Sequence, residues 1–408
     1  MKVLFFSPYV YVPEFEEHRK NKSGFGFMVP DIARSVSKLG HDVVIAVHAF
    51  GPKRKTGEFT ILPNSAWANL IHGKYMGIFR MISSMRVCGA SSKEIIRGLY
   101  YYLNIGYLKY LIKKEKPDVV HIHGVGKCGD ETYAMLRKLE VPFVVTLHGL
   151  LEDEFSGATE YLRCCEKELI RTSYEKRIPI TVIGSGMKEE CHSDYYGAKC
   201  TDNITVVTNG IDVTAKTPQY DLREKLGIAA DKKIILSVGS VCPNKNQKQT
   251  VRALSLLPPD LRENSVLVLV GAVRPNYSVA EEVEALELKE QVFCVGFVPR
   301  EELCNYYAQA NVTVVASKAE GFGLSMAESF VYGVPCVAFS DLAAIADVYD
   351  EKAVLLCQER SDEALADAIS QALNANWNKE KIMEHSQKFS LEVMAQQYRM
   401  VYQSLLRQ

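Results

Sequence analysis

Two carboxylates, Glu320 and Glu328, stand with seven residues between them in the stretch KAEGFGLSMAESFVYGVPCVAF, and Gly321, Phe322 and Gly323 follow the first. Apolar residues at Leu324, Ala327, Phe330 and Val331 predict a helix beginning near Gly323, which leaves Glu320 in a loop and puts Glu328 on the helix. A glycine-rich turn at a helix start exposes unpaired N–H groups at the positive end of the peptide dipoles, and together these hold phosphate without a metal. Carboxylates only accept hydrogen bonds, which suits them to the paired hydroxyls of sugar and ribose. The bland reading of the same residues is a turn flanked by two solvated acids.

Other residues able to do chemistry also follow strand-like runs. Lys245 lies in VGSVCPNKN and reads as a cation beside a helix start or as an ordinary loop lysine. His148 ends PFVVTLHG and reads equally as a reaction-centre or a structural histidine; His123, in DVVHIHG, reads as lining a site or as packing. Ser23-Gly24 follows the first strand, and Gly296-Phe297-Val298-Pro299 reads as a ligand-facing loop or a simple strand-to-helix turn. No D-x-D triplet, a spacing of paired acids that could hold a divalent cation, occurs, and a helix N-terminus with Lys245 is the available source of positive charge.

The elements that must position these residues are short β-branched runs, each followed by Gly or polar residues and a helical pattern. VLFFSPYV, DVVIAVHAF, DVVHIHG, PFVVTLHG, ITVIGSG and ITVVTNG form one series, and KIILSVGS, VLVLVGA, VFCVGFV, VTVVAS, PCVAF and AVLLC a second. Runs without alternation suit strands buried on both faces of a parallel sheet, so two doubly wound, Rossmann-like α/β domains are expected. The division is placed after Asn209-Gly210-Ile211-Asp212, giving domains 1–213 and 214–387, with an amphipathic helix over about 388–408 packing back on the first. Ligands of such sheets sit outside the carboxyl ends of the strands, so the two domains are expected to face each other across a cleft that collects the residues above.

A chain of 408 residues with 47% hydrophobic and 24% charged residues and a formal net charge of -1 is globular, and its overall charge points to neither nucleic acid nor membrane. Eleven scattered cysteines form no C-x-x-C pair, and no secretory leader precedes VLFFSPYV, so reduced thiols in a cytoplasm are expected. Cys164, Cys165, Cys191, His192 and Cys200 cluster without matching a zinc spacing. No apolar run approaches the roughly 20 residues of a membrane helix. Charge is nevertheless localised: between Gly51 and Pro117 twelve basic residues stand against three acids, a net of +9. With Trp67, Tyr75, Phe79, Met81, Ile82 and Met85 interleaved, HGKYMGIFRMISSMRV reads as a peripheral contact with an anionic membrane surface or as a solvated basic face, while IIRGLYYYLNIGYLKYLI is apolar all round and is expected to pack in the first domain.

Glu320-Gly321-Phe322-Gly323-Leu324, followed by Ala327-Glu328 and Gly333-Val334-Pro335, resembles the signature of the family 4 glycosyltransferases. Four further segments agree in order and spacing: Ser23-Gly24 with Gly40-His41 downstream, PDVVHIHG, Asn209-Gly210-Ile211-Asp212 and VGSVCPNKN. The resemblance implies the GT-B architecture and a retaining, metal-independent transfer of sugar from a nucleotide diphosphate sugar, with a UDP-sugar expected over a GDP-sugar and no cofactor. The acceptor would be a glycan or lipid-linked hydroxyl held by the first domain, in cell-surface polysaccharide or glycolipid synthesis.

By the same resemblance Glu320, His148 and Lys245 carry the chemistry. Ser23, Gly24, Ser240, Lys245, Gly296, Phe297, Val298, Glu320, Gly321, Phe322, Gly323, Leu324 and Glu328 bind the donor, with Glu328 on the ribose. No nucleophile emerges, which fits a front-face reaction in which the leaving phosphate takes the acceptor's proton. Ser240 departs from the family, most of whose members carry an arginine there; serine donates a hydrogen bond but supplies no charge. That departure keeps a nucleotide-sugar-binding subunit without turnover as a rival, beside a two-lobed nucleotide-sugar epimerase. A Rossmann dehydrogenase is disfavoured because no G-x-G-x-x-G opens the first helix.

Overall fold

The β-branched runs pair into two parallel sheets, each within its own unit of the chain. In the first unit β1 (Lys2–Ser7), β2 (Asp42–Val47), β3 (Arg54–Lys55), β4 (Phe59–Leu62), β5 (Val119–His123), β6 (Phe143–Leu147), β7 (Ile180–Val182) and β8 (Ile204–Val206) are ordered β3-β4-β2-β1-β5-β6-β7-β8. All pairings are parallel except that of β3 with β4. In the second, β9 (Lys233–Val238), β10 (Ser265–Val270), β11 (Val292–Gly296), β12 (Val312–Val315), β13 (Cys336–Phe339) and β14 (Val354–Cys357) are ordered β11-β10-β9-β12-β13-β14 and are parallel throughout. Each order reverses once, between β1 and β5 and between β9 and β12, and the loops leaving those strands flank the crevice where doubly wound sheets take ligands. This is a computed structural model, and it describes residues 1–20, 22–73, 77–87, 89–125, 129–151 and 158–407.

The first unit comprises Met1–Gly210 and Leu391–Gln408, and the second Ile211–Ser390. The division therefore falls at Gly210 and Ser390 instead of 213 and 387. Two contacts explain the shift: the Gly210 N–H donates to Met394 Sδ (3.1 Å) in the first unit, whereas the Ile211 N–H donates to Phe389 O (2.7 Å) in the second, stitching its entrance to its exit. The helix Leu391–Leu406 buries Met394, Ala395, Tyr398 and Tyr402. Tyr402 Oη and His121 Nδ1 on β5 are 2.7 Å apart, and the Thr208 N–H donates to Gln397 Oε1 at 3.0 Å.

The basic region between β4 and β5 resolves into the helices Ala66–His72, Ile78–Val87 and Ser92–Glu115. Met81 and Met85 turn inward to pack with Tyr102, Ile105 and Tyr161, so only part of the apolar set read as a membrane face points outward. Trp67 is 76% exposed and Phe79 83%, and Leu70, Ile71, Val87 and Ile96 are also exposed. Lys74 and Tyr75 lie outside the described residues. The long helix beyond packs as its composition predicts, burying Tyr102, Ile105, Tyr107, Leu108, Leu111 and Ile112. Among the described residues no helix is long and apolar enough to cross a membrane, and the described cysteines are free thiols.

Candidate active site

Backbone close to backbone builds the site of the second unit. At Gly271 (φ +152°) a Cβ would lie 2.0 Å from Gly239 O, so only glycine lets the loop after β10 run against the loop after β9. A Cβ on Gly239 would meet Lys245 Cε at 3.4 Å, which shows the lysine stem lying over that glycine. The half-buried Ser240 gives its carbonyl to Gln247 Nε2 (3.0 Å), and Gln247 Oε1 accepts from the Cys242 N–H (3.2 Å), bracing the turn before the helix Gln247–Ser255.

Asn244 then laces this turn to the loop after β12: its carbonyl accepts from the Lys318 N–H (2.7 Å), and its side chain exchanges hydrogen bonds with Ala319 at 3.0 and 3.2 Å. Arg360 holds the same loop from the other side, donating to Ser317 O (3.0 Å) and Lys318 O (3.3 Å) while paired with Asp341. The outcome of this lacing is that Lys245 Nζ donates to Glu320 Oε2, which is also 3.4 Å from Ser317 Oγ. The pair is largely sheltered, with side chains 27% and 16% exposed.

Gly323 (φ +83°) caps the helix Leu324–Phe330, whose first N–H groups have no partner within the helix. Phe322 was expected to bind donor, but its ring is buried against Phe389 (5.7 Å between centroids), so only its backbone is free to meet a ligand. Within the helix, Glu328 accepts from Arg300 Nη2 at 3.3 Å and from the Tyr307 hydroxyl at 3.0 Å. Burial and the adjacent carboxylate push Tyr307 well above the usual tyrosine value, so its O–H remains a donor. Arg300 follows Gly296-Phe297-Val298-Pro299 directly. Gly296 (φ +79°) turns the chain there and gives its carbonyl to the Gly271 N–H at 2.8 Å, while Val298 packs on the core and Phe297 is half-buried.

In the first unit Ser23 caps the helix Gly24–Lys38, its Oγ accepting from the Gly26 N–H (3.2 Å) and lying 3.3 Å from Tyr9 Oη. Pro30 lacks the N–H that would reach Gly26 O one turn back, and the Tyr11 N–H takes its place at 2.8 Å, tying the loop after β1 to the helix. Phe25, in the first turn, meets His148 edge-on with centroids 4.8 Å apart. His148 Nε2 and His123 Nδ1 are 2.9 Å apart, so the ends of β5 and β6 meet through their histidines. Burial pulls His148 down to about 3 and His123 well below the usual histidine value, so both rings are neutral at physiological pH. The cysteine cluster offers no metal geometry: both His192 ring nitrogens are engaged, with Ala198 O (3.1 Å) and Thr201 Oγ1 (3.0 Å).

Comparison with known proteins decides the family. The model for "Glycosyltransferase Family 4" matches residues 23–215 and that for "Glycosyl transferases group 1" matches 219–389. The chain belongs to glycosyltransferase family 4. It is 26% identical over 407 residues to the D-inositol 3-phosphate glycosyltransferase of Corynebacterium aurimucosum, covering 93% of this chain and 90% of that one. It is 23% identical to the N-acetyl-alpha-D-glucosaminyl L-malate synthase of Bacillus anthracis over 72% of this chain and 77% of the other. Among solved structures, sucrose-phosphate synthase of Thermosynechococcus elongatus superposes with a TM-score of 0.74 at 19% identity over 100% of both chains. HepE of Anabaena, solved with UDP, gives 0.70 at 17% over 99% of this chain and 100% of its own. These likenesses show the fold, which is GT-B. In this family 4 glycosyltransferase the sheet order brings Lys245 and Glu320 into contact, whereas Glu328 holds separate partners. Asn244, Arg360, Tyr307 and Arg300 escaped sequence reasoning; Asn244 alone lies in a motif already singled out, and the others carry no local signal.

Proposed function

We propose that this glycosyltransferase moves a sugar from a UDP-sugar to an acceptor hydroxyl with retention of anomeric configuration and without a divalent metal. The contact between Lys245 and Glu320 carries the reading: it sets a cation and an acceptor-only group side by side at the reversal point of the second sheet. Lys245 and the N–H groups of the turn at Gly323 and Leu324 neutralise the departing diphosphate, Glu320 takes the sugar hydroxyls, and Glu328 takes the ribose. The turn Gly296-Phe297-Val298 meets the base. HepE, the structural neighbour solved with UDP and with UDP-glucose, supports the choice of UDP. In the first unit His148, neutral and with a buried Nδ1 that meets no protein partner, is assigned to the sugar as a hydrogen-bonding group and not as a charge, and Ser23 and Gly24, just ahead of its ring neighbour Phe25, are assigned to the donor. No protein nucleophile is assigned, and the leaving phosphate takes the acceptor's proton.

For the acceptor, the exposed Trp67, Leu70, Ile71 and Phe79 and the exposed Arg86, Lys93 and Arg97 of the same three-helix region support a lipid-linked glycan reached from the cytoplasmic face of an anionic membrane. A small anionic hydroxyl compound is the second reading, supported by the inositol phosphate and malate in the names of two relatives. Thermal shifts with nucleoside diphosphates and their sugars test the donor assignment, since a ligand at 100 times its dissociation constant stabilises by about 2.7 kcal/mol. Co-sedimentation with anionic and neutral vesicles at low and high salt separates the acceptor readings. Salt-sensitive binding to anionic vesicles supports the lipid-linked acceptor, and no binding at low salt leaves the small acceptor.

A further inference from the structure

Glu328 is held by the protein on both of its oxygens. Oε1 accepts from Arg300 Nη2 at 3.3 Å and Oε2 from the Tyr307 hydroxyl at 3.0 Å, and the carboxylate is 19% exposed. Each carboxylate oxygen has two lone-pair directions, so one on each oxygen is left for a ligand, a spacing that suits two adjacent hydroxyls. Tyr307 is a fixed post, buried and stacked on Tyr332 with centroids 6.0 Å apart and planes 8° from parallel. Arg300 is the solvent-facing partner, 32% exposed, and it issues from the turn after Gly296-Phe297-Val298-Pro299. The loop that meets the base therefore also holds the carboxylate that meets the sugar of the nucleotide.

We propose that Arg300 is a positioning residue for nucleotide selection: by fixing the Glu328 carboxylate it makes the site distinguish ribonucleotides from 2′-deoxyribonucleotides. The proposal rests on the reading of Glu328 as the ribose acceptor. Without the guanidinium the carboxylate pivots about Tyr307 and its open lone pairs no longer meet both hydroxyls, so the reward for the 2′-hydroxyl falls while phosphate and base contacts remain.

Calorimetric titration of the full chain with UDP and 2′-deoxy-UDP, and with GDP and 2′-deoxy-GDP, tests this on the wild type, Arg300→Met and Arg300→Lys. For the diphosphate that binds, the wild type is expected to prefer the ribo form by about tenfold, the worth of one hydrogen bond to a charged acceptor. Arg300→Met is expected to bind the deoxy form within about twofold of wild type and to keep a ribo preference below about threefold, with Arg300→Lys in between. A Met variant that keeps the full preference, or that loses both forms equally, overturns the proposal. Should Arg300→Met fail to fold by circular dichroism, the Lys variant decides, and a wild-type preference there counts against it. A wild type with no ribo preference refutes Glu328 as the ribose acceptor, and one that binds none of the four refutes the donor site itself.

Discussion

Replacing Lys245 with alanine separates charge that serves binding from charge that serves the transition state. In the free protein Lys245 is paired with Glu320, and with side chains only 27% and 16% exposed Lys245→Ala leaves the carboxylate without its donor, so unfolding should lose about 1–3 kcal/mol while the chain still folds. When donor binds, the ammonium trades one anionic partner for another, so nucleoside diphosphate affinity should fall by no more than about fivefold, roughly 1 kcal/mol. As the glycosidic bond breaks, a full charge develops on the leaving diphosphate, and losing a positioned donor there costs about 2.7–4 kcal/mol, or 10²–10³ in turnover. Ser240 adds no charge to compensate. The assay pairs calorimetry with UDP against kcat and KM from nucleoside diphosphate release. Equal turnover in mutant and parent, or a loss confined to KM, would refute the reasoning.

Three further outcomes are expected. Gly271→Ala places a Cβ 2.0 Å from Gly239 O, a backbone atom that cannot swing aside, so urea unfolding should show a loss of about 1–3 kcal/mol and turnover should fall as the Lys245 loop shifts; an unchanged midpoint contradicts the close approach. Burial raises Glu166 from 4.5 to about 7, so the folded state holds a proton that the unfolded state releases, and stability falls as pH rises between those values. Glu166→Gln should therefore differ from wild type by a constant amount below about pH 4 and gain on it by up to about 3 kcal/mol by pH 8.5, and a pH-independent difference would show that burial does not raise this carboxyl. Tyr402→Phe removes the partner of the fully buried His121 Nδ1 and should cost about 1–3 kcal/mol in denaturant, testing how the last helix is held on the first unit.

Strands were legible where burial on both faces makes an unbroken apolar run, as in KIILSV and SVLVLV. The edge pair β3 and β4 was not, because RK is charged and FTIL is too short to separate from loop. Site residues were legible one motif at a time. Lys245 and Glu320 each stood out, but their contact spans 75 residues and follows only from the sheet order that sets β9 beside β12. The inward turn of the Phe322 ring was not legible because an aromatic between glycines carries no pattern to say which way it points; the left-handed turn at Gly323 and the partner Phe389 decide that. Arg300 and Tyr307 reach Glu328 from 28 and 21 residues away, distances at which no periodicity links them. The units' boundary shifted because hydrogen bonds, invisible to composition, assign Gly210 and Ile211 to different sides.

Donor turnover without metal is the most direct test of the Lys245 and Gly323 site. Purified chain incubated in excess EDTA with a panel of UDP-sugars, in the presence of candidate hydroxyl acceptors, should release UDP and form a glycoside that keeps the donor's anomeric configuration by NMR. Glu320→Gln should reduce that release at least a hundredfold, about 2.7 kcal/mol in the barrier. Release that disappears in EDTA and returns with manganese or magnesium would contradict the assignment of the diphosphate to Lys245 and the Gly323 turn. UDP bound without turnover of any sugar would contradict the transfer itself.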